Sequence, residues 1–110
     1  MLPEFTEKLV RDRIPEIVGT KPDFRVATGK ELWFLLKEKL IEEASELHCE
    51  NCINGLGNSE IEELADVVEV VEALKHYVEE KSPGSLEQVR AKKAKIKGCF
   101  EHGYVMHIKK

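Results

Sequence analysis

Aromatic residues, cysteines and long apolar runs are all scarce in this chain of 110 residues. Aromatics make up 6% of the residues, and there are three cysteines. No stretch approaches the roughly 20 consecutive apolar residues that span a bilayer, and the first residues lack the pattern of a signal peptide. We therefore expect a cytoplasmic protein that is not embedded in a membrane and that forms no disulfide.

A positive net charge is also missing. The formal net charge of -4 argues against a nucleic-acid-binding protein, because a polyanion requires a basic face. The charges are unevenly placed, with acidic residues crowded into 38–80 and basic residues into 90–110. This separation suits a small polyanionic ligand held between a metal on the acidic residues and a cap of lysines. A pair of acidic helices followed by a solvated basic tail explains the same pattern without a ligand.

Helical patterns dominate the rest of the chain, whose length fits a single domain spanning residues 1–110. Prolines and glycines break up the first 30 residues, except for a short helix expected at 13–18. Apolar residues at helical spacing predict three longer helices, and the predicted fold class is therefore all-α. The predicted ranges are about 30–49, with Thr28 or Gly29 as the cap, 60–80 and 85–97.

Capping sequences set the predicted starts of the last two helices. Ser59 with Glu62, and Ser85 with Gln88, match the capping box, in which a serine hydroxyl and a Glu or Gln side chain satisfy free backbone N–H groups. Beyond the helices, residues 104–108 alternate weakly between apolar and polar. This tail is expected to form a short strand or an extended arm.

Acidic residues of the first long helix lie on its apolar side. At about 100° per residue, Glu43 falls about 20° from Leu36, which lies at the centre of the apolar stripe, and Glu46 falls about 80° away. Glu43 and Glu46 are separated by one turn, so their carboxylates can converge on one point. Glu42 flanks them.

Glu63 and Asp66 repeat this arrangement on the second long helix. Two apolar faces cover more than half of that helix, so we expect it at the centre of a helical bundle, with both carboxylates aimed at a neighbouring helix. No arginine or lysine is expected on these faces, and buried carboxylates are costly unless they are paired or bound to a metal. Two pairs of oxygen ligands favour Mg²⁺ or Mn²⁺. A solvated acidic face is the alternative.

Two aromatic residues, Trp33 and Phe34, lie near the start of the first long helix. An aromatic side chain at helical spacing usually packs in a core or a dimer interface. Stacking on a nucleotide base is the alternative.

The acidic motifs resemble those of MazG-like, all-α nucleotide pyrophosphohydrolases. Residues 42–46 (E-E-A-S-E) are similar to the E-E-x-x-E motif of that family, and residues 63–66 (E-L-A-D) to its E-x-x-D motif. Residues 8–17 (K-L-V-R-D-R-I-P-E-I) resemble the start of the subgroup described as phosphoribosyl-ATP pyrophosphohydrolase-like. Residues 97–100 (K-G-C-F) are similar to the R-G-G-F ending of that subgroup, from which Lys97 and Cys99 depart.

The resemblance implies a helical bundle completed by oligomerisation, as a homodimer or homotetramer, with Mg²⁺ as the cofactor and Mn²⁺ as a possible substitute. The implied metal ligands are Glu43, Glu46, Glu63 and Asp66. The implied phosphate contacts are Lys8, Arg11, Lys93 and Lys97. Glu42 is implied to position or deprotonate the attacking water.

The implied reaction cleaves a nucleoside triphosphate between its α and β phosphates, giving a nucleoside monophosphate and pyrophosphate. The natural substrates could be unusual nucleotides that the cell must clear. One alternative is the phosphoribosyl-ATP pyrophosphohydrolase of histidine biosynthesis, which resembles this chain only in the acidic motifs. A second alternative is a non-catalytic helical interaction module stapled by zinc, because Cys49, Cys52, Cys99 and His102 have the spacing of a zinc site.

Overall fold

The computed structural model of the chain describes residues 7–19, 23–47 and 57–109. Four α-helices and no strand lie in these ranges, which confirms the all-α class. They are α1, Ile14–Val18; α2, Gly29–Glu46; α3, Asn58–Lys81; and α4, Ser85–Lys97. None of these helices is both long enough and apolar enough to cross a membrane.

The chain divides into two compact units, Met1–Tyr77 and Val78–Lys110. The first unit contains α1, α2 and most of α3, and the second contains the end of α3, α4 and the C-terminal segment. The assignment of residues 1–110 to a single domain remains a prediction, as does the helical bundle.

The core of the first unit is small. Among the described residues, the buried apolar side chains are Leu36 on α2 and Val70 on α3, which are 7% and 8% exposed. The ring of Trp33 stacks on that of Tyr77 with their centroids 5.0 Å apart, which joins α2 to α3. The burial of Val70 confirms that one of the two apolar faces of α3 packs inward.

The helix α2 begins at Gly29, after the extended residue Thr28, as predicted. It ends earlier than predicted, at Glu46. The N–H of Leu47 donates to the carbonyls of Ala44 and Ser45, which tightens the last turn and closes the helix. The predicted continuation to Cys49 falls on residues 48–56, outside the described residues.

The capping box predicted for α3 at Ser59 is wrong, because Ser59 already lies inside this helix. The helix begins at Asn58, and the backbone N–H of Gly57 donates to Glu60 Oε1 at 3.0 Å. Glycine is well tolerated at the residue that precedes a helix. Glu60 therefore makes the reciprocal half of the capping box that the sequence pattern assigned to Glu62.

The helix α4 confirms its predicted range, 85–97, but its N-cap is not the predicted Ser85. Its N-cap is Gly84, whose φ of 78° is a left-handed conformation that favours glycine. Ser85 is the first helical residue, and its hydroxyl donates to the carbonyl of Ser82 at 2.8 Å. Gly98, with φ 80°, closes the helix after Lys97, as predicted.

The C-terminal segment that follows α4 contains no strand within its described residues 98–109. The side chains of Phe100 and Tyr104 are 100% and 92% exposed, and Val105 and Met106 are also exposed. Of the two forms predicted for the tail, the strand is therefore wrong.

Candidate functional site

The acidic cluster on α2 is organised around Lys39. Its Nζ lies 2.7 Å from Glu42 Oε2 and 3.1 Å from Glu43 Oε1, at the i+3 and i+4 positions of the same helix. All three side chains are largely shielded from solvent, with 11 to 17% exposure. The expectation that no lysine or arginine neutralises the carboxylates on these faces is therefore wrong. Lys39 is a functional candidate that the sequence interpretation missed.

Glu43 is buried, as its place in the apolar stripe predicted, with 9% of its surface exposed. Lys39 satisfies its Oε1 atom, whereas its Oε2 atom is buried and accepts no hydrogen bond from any described residue. An unsatisfied buried oxygen costs free energy, and one that carries charge costs more. The position of this atom therefore calls for a proton or a cation.

Glu46 lies beside Glu43, one turn further along α2. Partial loss of hydration and then the neighbouring charge of Glu43 raise the pKa of Glu46, and the interaction with Lys39 only partly opposes this rise. A protonated Glu46 can donate a hydrogen bond to Glu43, and a cation bound between the two carboxylates would do the same electrostatic work. The two residues are thus brought together, as predicted from their spacing.

Each carboxylate oxygen of Glu42 has a cationic partner. Lys8 Nζ lies 3.3 Å from its Oε1 atom, and Lys39 holds the other oxygen. Burial acts to raise the pKa of Glu42, but the hydrogen bonds from Lys39 and Lys8 outweigh that effect and leave the pKa below its ordinary value. Glu42 is therefore ionised at neutral pH and can accept a hydrogen bond from a water molecule.

Asp66 on α3 pairs with Arg11 from the N-terminal segment. The Nη2 atom of Arg11 lies 2.6 Å from Asp66 Oδ1, and both side chains are partly exposed. Glu63 lies one turn before Asp66 on α3 and is half-buried. Two of the predicted phosphate contacts, Lys8 and Arg11, thus lie directly on two of the predicted acidic site residues.

Convergence of Glu43, Glu46, Glu63 and Asp66 on one metal remains a prediction. In the part of the chain that the structure describes, no group of three or more His, Cys, Asp or Glu side chains is arranged to hold a metal ion. Arg11 occupies the Oδ1 atom of Asp66, so a metal bound by this carboxylate would compete with Arg11 for that oxygen.

The remaining predicted cations, Lys93 and Lys97, lie on α4 in the second unit and are exposed. Their role as phosphate contacts remains a prediction. Among the zinc candidates, Cys99 is an exposed free thiol, and the ring of His102 packs against Tyr104 with centroids 5.7 Å apart. The other two, Cys49 and Cys52, fall outside the described residues, so the zinc site remains a prediction.

The indole ring of Trp33 contacts other side chains of the protein. One partner is the ring of Tyr77, and Lys37 Nζ lies 5.6 Å from the centroid of the indole. This arrangement favours the structural interpretation of Trp33 over base stacking. Phe34, its neighbour, is 54% exposed.

A second cationic group that the sequence interpretation missed is Arg25. Its guanidinium lies 2.7 Å from Glu31 Oε2, in the first turn of α2, and 3.2 Å from Glu7 Oε2, in the N-terminal segment. These partners raise the pKa of Arg25, and its hydrogen bond lowers that of Glu31. The clamp ties the stretch before α2 to the segment that carries Lys8 and Arg11.

The chain matches no protein-family model, no curated protein and no solved structure.

Proposed function

We propose that this protein is a Mg²⁺-dependent nucleoside triphosphate pyrophosphohydrolase, with Mn²⁺ able to substitute for Mg²⁺. The observation that carries the proposal is the buried Oε2 atom of Glu43, an acceptor that no described residue satisfies. Beside it lies Glu46, whose pKa is raised by partial loss of hydration and by the charge of Glu43, and this supports a site that favours added positive charge. Carboxylate oxygens are the ligands that hard divalent cations prefer.

In this proposal, Glu43, Glu46, Glu63 and Asp66 would hold the cation. A bound divalent cation supplies Lewis-acid polarisation of the phosphate oxygens. Lys39 remains on Glu43 Oε1 and fixes that carboxylate, so that the free Oε2 atom stays in position. The resemblance of residues 42–46 and 63–66 to the acidic motifs of MazG-like enzymes supports the same four ligands.

The cations of the N-terminal segment are placed to receive phosphate. Lys8 contacts Glu42 and Arg11 contacts Asp66, so each lies beside a proposed site residue before any substrate is bound. A triphosphate offers these cations more negative charge than a single carboxylate does. Arg11 is the stronger phosphate ligand of the two, because its guanidinium can bind two oxygens at once.

Glu42 is the proposed catalytic carboxylate. Its lowered pKa keeps it ionised, so it can accept a hydrogen bond from the attacking water and orient that water. The water oxygen forms a bond to the α phosphorus as its proton passes to Glu42 and then to solvent. The bond from the α phosphorus to the α–β bridging oxygen breaks, and pyrophosphate leaves the nucleoside monophosphate. No covalent nucleophile from the protein is required.

We also propose that the protein acts as a homodimer or homotetramer, joined through an apolar stripe on α3. The α3 stripe consists of Ile61, Leu64, Val68 and Val71, which are 36 to 51% exposed in the single chain. These residues recur every three or four positions, which is the spacing of a helix-packing seam. Light scattering on the wild type and on Val68→Lys tests this proposal: the variant should be smaller, and a monomeric wild type would contradict it.

The activity is tested by measuring pyrophosphate release from a panel of nucleoside triphosphates and from phosphoribosyl-ATP, with Mg²⁺, with Mn²⁺ and with a chelator. We expect release from nucleoside triphosphates that stops when the chelator is added. Activity on phosphoribosyl-ATP alone would favour the histidine-pathway alternative. No release from any substrate, together with stoichiometric bound zinc, would instead favour the interaction module.

A further inference from the structure

A cavity of about 630 Å³ lies in the first unit, beside the acidic cluster. Its walls are formed by the N-terminal stretch 7–12, by the stretch 23–27 and by Leu32 and Leu35 on the first half of α2. The volume falls within the range of small-molecule sites in proteins. The cavity is therefore large enough for a ligand of nucleotide size.

The Arg25 clamp joins two walls of this cavity. Because Arg25 binds Glu7 on one wall and Glu31 at the start of α2, it holds the stretch 23–27 against the stretch 7–12. Several hydrogen bonds from one guanidinium restrict the relative movement of the walls.

The cavity wall combines an aromatic ring with two carboxylates that have no partner among the described residues. Phe24 lines the cavity and is 42% exposed, so part of its side chain is accessible to a ligand. Asp12 and Asp23 also line it, and neither makes an ion pair or hydrogen bond with another described residue. An ionised carboxylate accepts hydrogen bonds and cannot donate them, so it recognises donor groups on a ligand.

Two residues connect this cavity to the candidate site. Lys8 and Arg11 both line the cavity, while their cationic ends reach Glu42 at 3.3 Å and Asp66 at 2.6 Å. A ligand whose phosphates replace these two carboxylates on Lys8 and Arg11 would therefore have the rest of its structure next to the cavity.

We propose that this cavity binds the base and ribose of the nucleotide, and that it prefers a base with an exocyclic amino group. Phe24 would stack on the base, and Asp12 and Asp23 would accept hydrogen bonds from the amino group and the ribose hydroxyls. The inference rests on the proposed function for the identity of the ligand, and it adds the specificity. Cytosine and uracil have the same size, and cytosine carries an amino group where uracil carries a carbonyl. The neighbouring ring nitrogen N3 is an acceptor in cytosine and an N–H donor in uracil, so a carboxylate that faces the exocyclic position accepts a hydrogen bond from cytosine and meets an oxygen in uracil.

The experiment measures binding of CMP, UMP and ribose 5-phosphate by calorimetry, without a divalent cation, so that no turnover is needed. The wild type should bind CMP more tightly than UMP, and both more tightly than ribose 5-phosphate, which lacks a base. Phe24→Leu should weaken CMP binding by at least about fivefold, since stacking accounts for much of the affinity for a base. Its binding of ribose 5-phosphate should be unchanged.

Phe34→Leu is the matched control, since Phe34 is also half-exposed but does not line the cavity. It should bind all three ligands as the wild type does. The double variant with Asp12→Asn and Asp23→Asn should lose the preference for CMP over UMP, because an amide can donate to the uracil carbonyl. Circular dichroism of each variant checks that it is folded.

Equal wild-type affinity for CMP and ribose 5-phosphate would overturn the inference, as would equal effects of the two phenylalanine substitutions. Either result could occur in a protein that still releases pyrophosphate, which would leave the proposed function in place. Conversely, selective CMP binding without pyrophosphate release from any triphosphate would support the cavity and overturn the proposed function. The two claims can therefore fail separately.

Discussion

Arg11 donates a hydrogen bond to Asp66 across 55 residues of sequence, with 2.6 Å between Nη2 and Oδ1. This pair joins the N-terminal segment to α3, and it joins a proposed phosphate contact to a proposed metal ligand. In the proposed function, Arg11 and the cation therefore compete for the Oδ1 atom of Asp66, and the triphosphate draws Arg11 away from it.

Arg11→Gln should separate these two effects. Without the guanidinium, Asp66 is free for the cation, so Mg²⁺ binding in the absence of nucleotide should become tighter. The same substitution removes a charged phosphate contact, so KM for the triphosphate should rise by at least about tenfold. Calorimetry with Mg²⁺ and steady-state kinetics measure the two changes.

Arg13→Gln is the control for this substitution. Arg13 lies two residues away, is largely exposed and pairs with Glu16 on the same short segment. Both measurements should remain at wild-type values in this variant. If Arg11→Gln leaves KM and Mg²⁺ affinity unchanged, the pair with Asp66 only anchors the N-terminal segment.

Lys39→Met should destabilise the protein. The substitution keeps most of the apolar stem but leaves Glu42 and Glu43 without their shared cation in a shielded environment. The free energy of unfolding should fall by about 1 to 3 kcal/mol, the usual cost of leaving a charged hydrogen-bonding group unsatisfied. Urea denaturation measures the change, with Lys30→Met, at an exposed position in the first turn of the same helix, as the control. Equal stability of the two variants would show that Lys39 is dispensable for the cluster.

Glu46→Gln should stabilise the protein at neutral pH when no divalent cation is present. The raised pKa of Glu46 means that the folded chain holds this proton more tightly than the unfolded chain. Stability from this residue is therefore present at low pH and is lost as the pH rises from the ordinary glutamate range through the folded pKa. The amide does not titrate, and it can donate to Glu43 Oε2.

Thermal melts at mildly acidic and neutral pH, with and without Mg²⁺, test this prediction. Glu46→Gln should melt higher than the wild type at neutral pH and should depend less on pH. Mg²⁺ should raise the melting temperature of the wild type by linkage and should have little effect on the variant. Glu69→Gln, at an exposed position of α3, serves as the control. If Glu46→Gln melts below the wild type and Mg²⁺ still raises its melting temperature, the cation does not bind at Glu46.

Local rules predicted the helices and the buried glutamate correctly. The place of Glu43 in the apolar stripe of α2 follows from helical geometry, and it is indeed buried. The same geometry could have identified Lys39, which lies three residues before Glu42 and four before Glu43. The apolar and acidic positions of a helix do not by themselves reveal which of its lysines reaches a buried carboxylate.

Local sequence rules cannot predict ion pairs between residues that lie far apart in the sequence. Nothing in the local sequence indicates that Arg11 meets Asp66, or that Arg25 reaches Glu7 as well as Glu31, because the folded path of the chain brings these groups together. The prediction of the cap at the start of α3 was wrong for a different reason. Several polar residues in a row can each serve as a cap, and Gly57 with Glu60 competes with Ser59 and its glutamate.

The most direct test of the proposed enzyme compares pyrophosphate release by Glu63→Gln and Glu62→Gln at equal folded concentration. Both substitutions remove one negative charge from the same turn of α3, but Glu63 is half-buried and Glu62 is exposed. If Glu63 is a metal ligand, exchange of its anionic oxygen for a neutral one should lower turnover by at least about 10²-fold. Glu62→Gln should be nearly silent. Equal activity of the two variants would contradict the proposal that Glu63 is a metal ligand. It would mean that these carboxylates only form a charged face of α3.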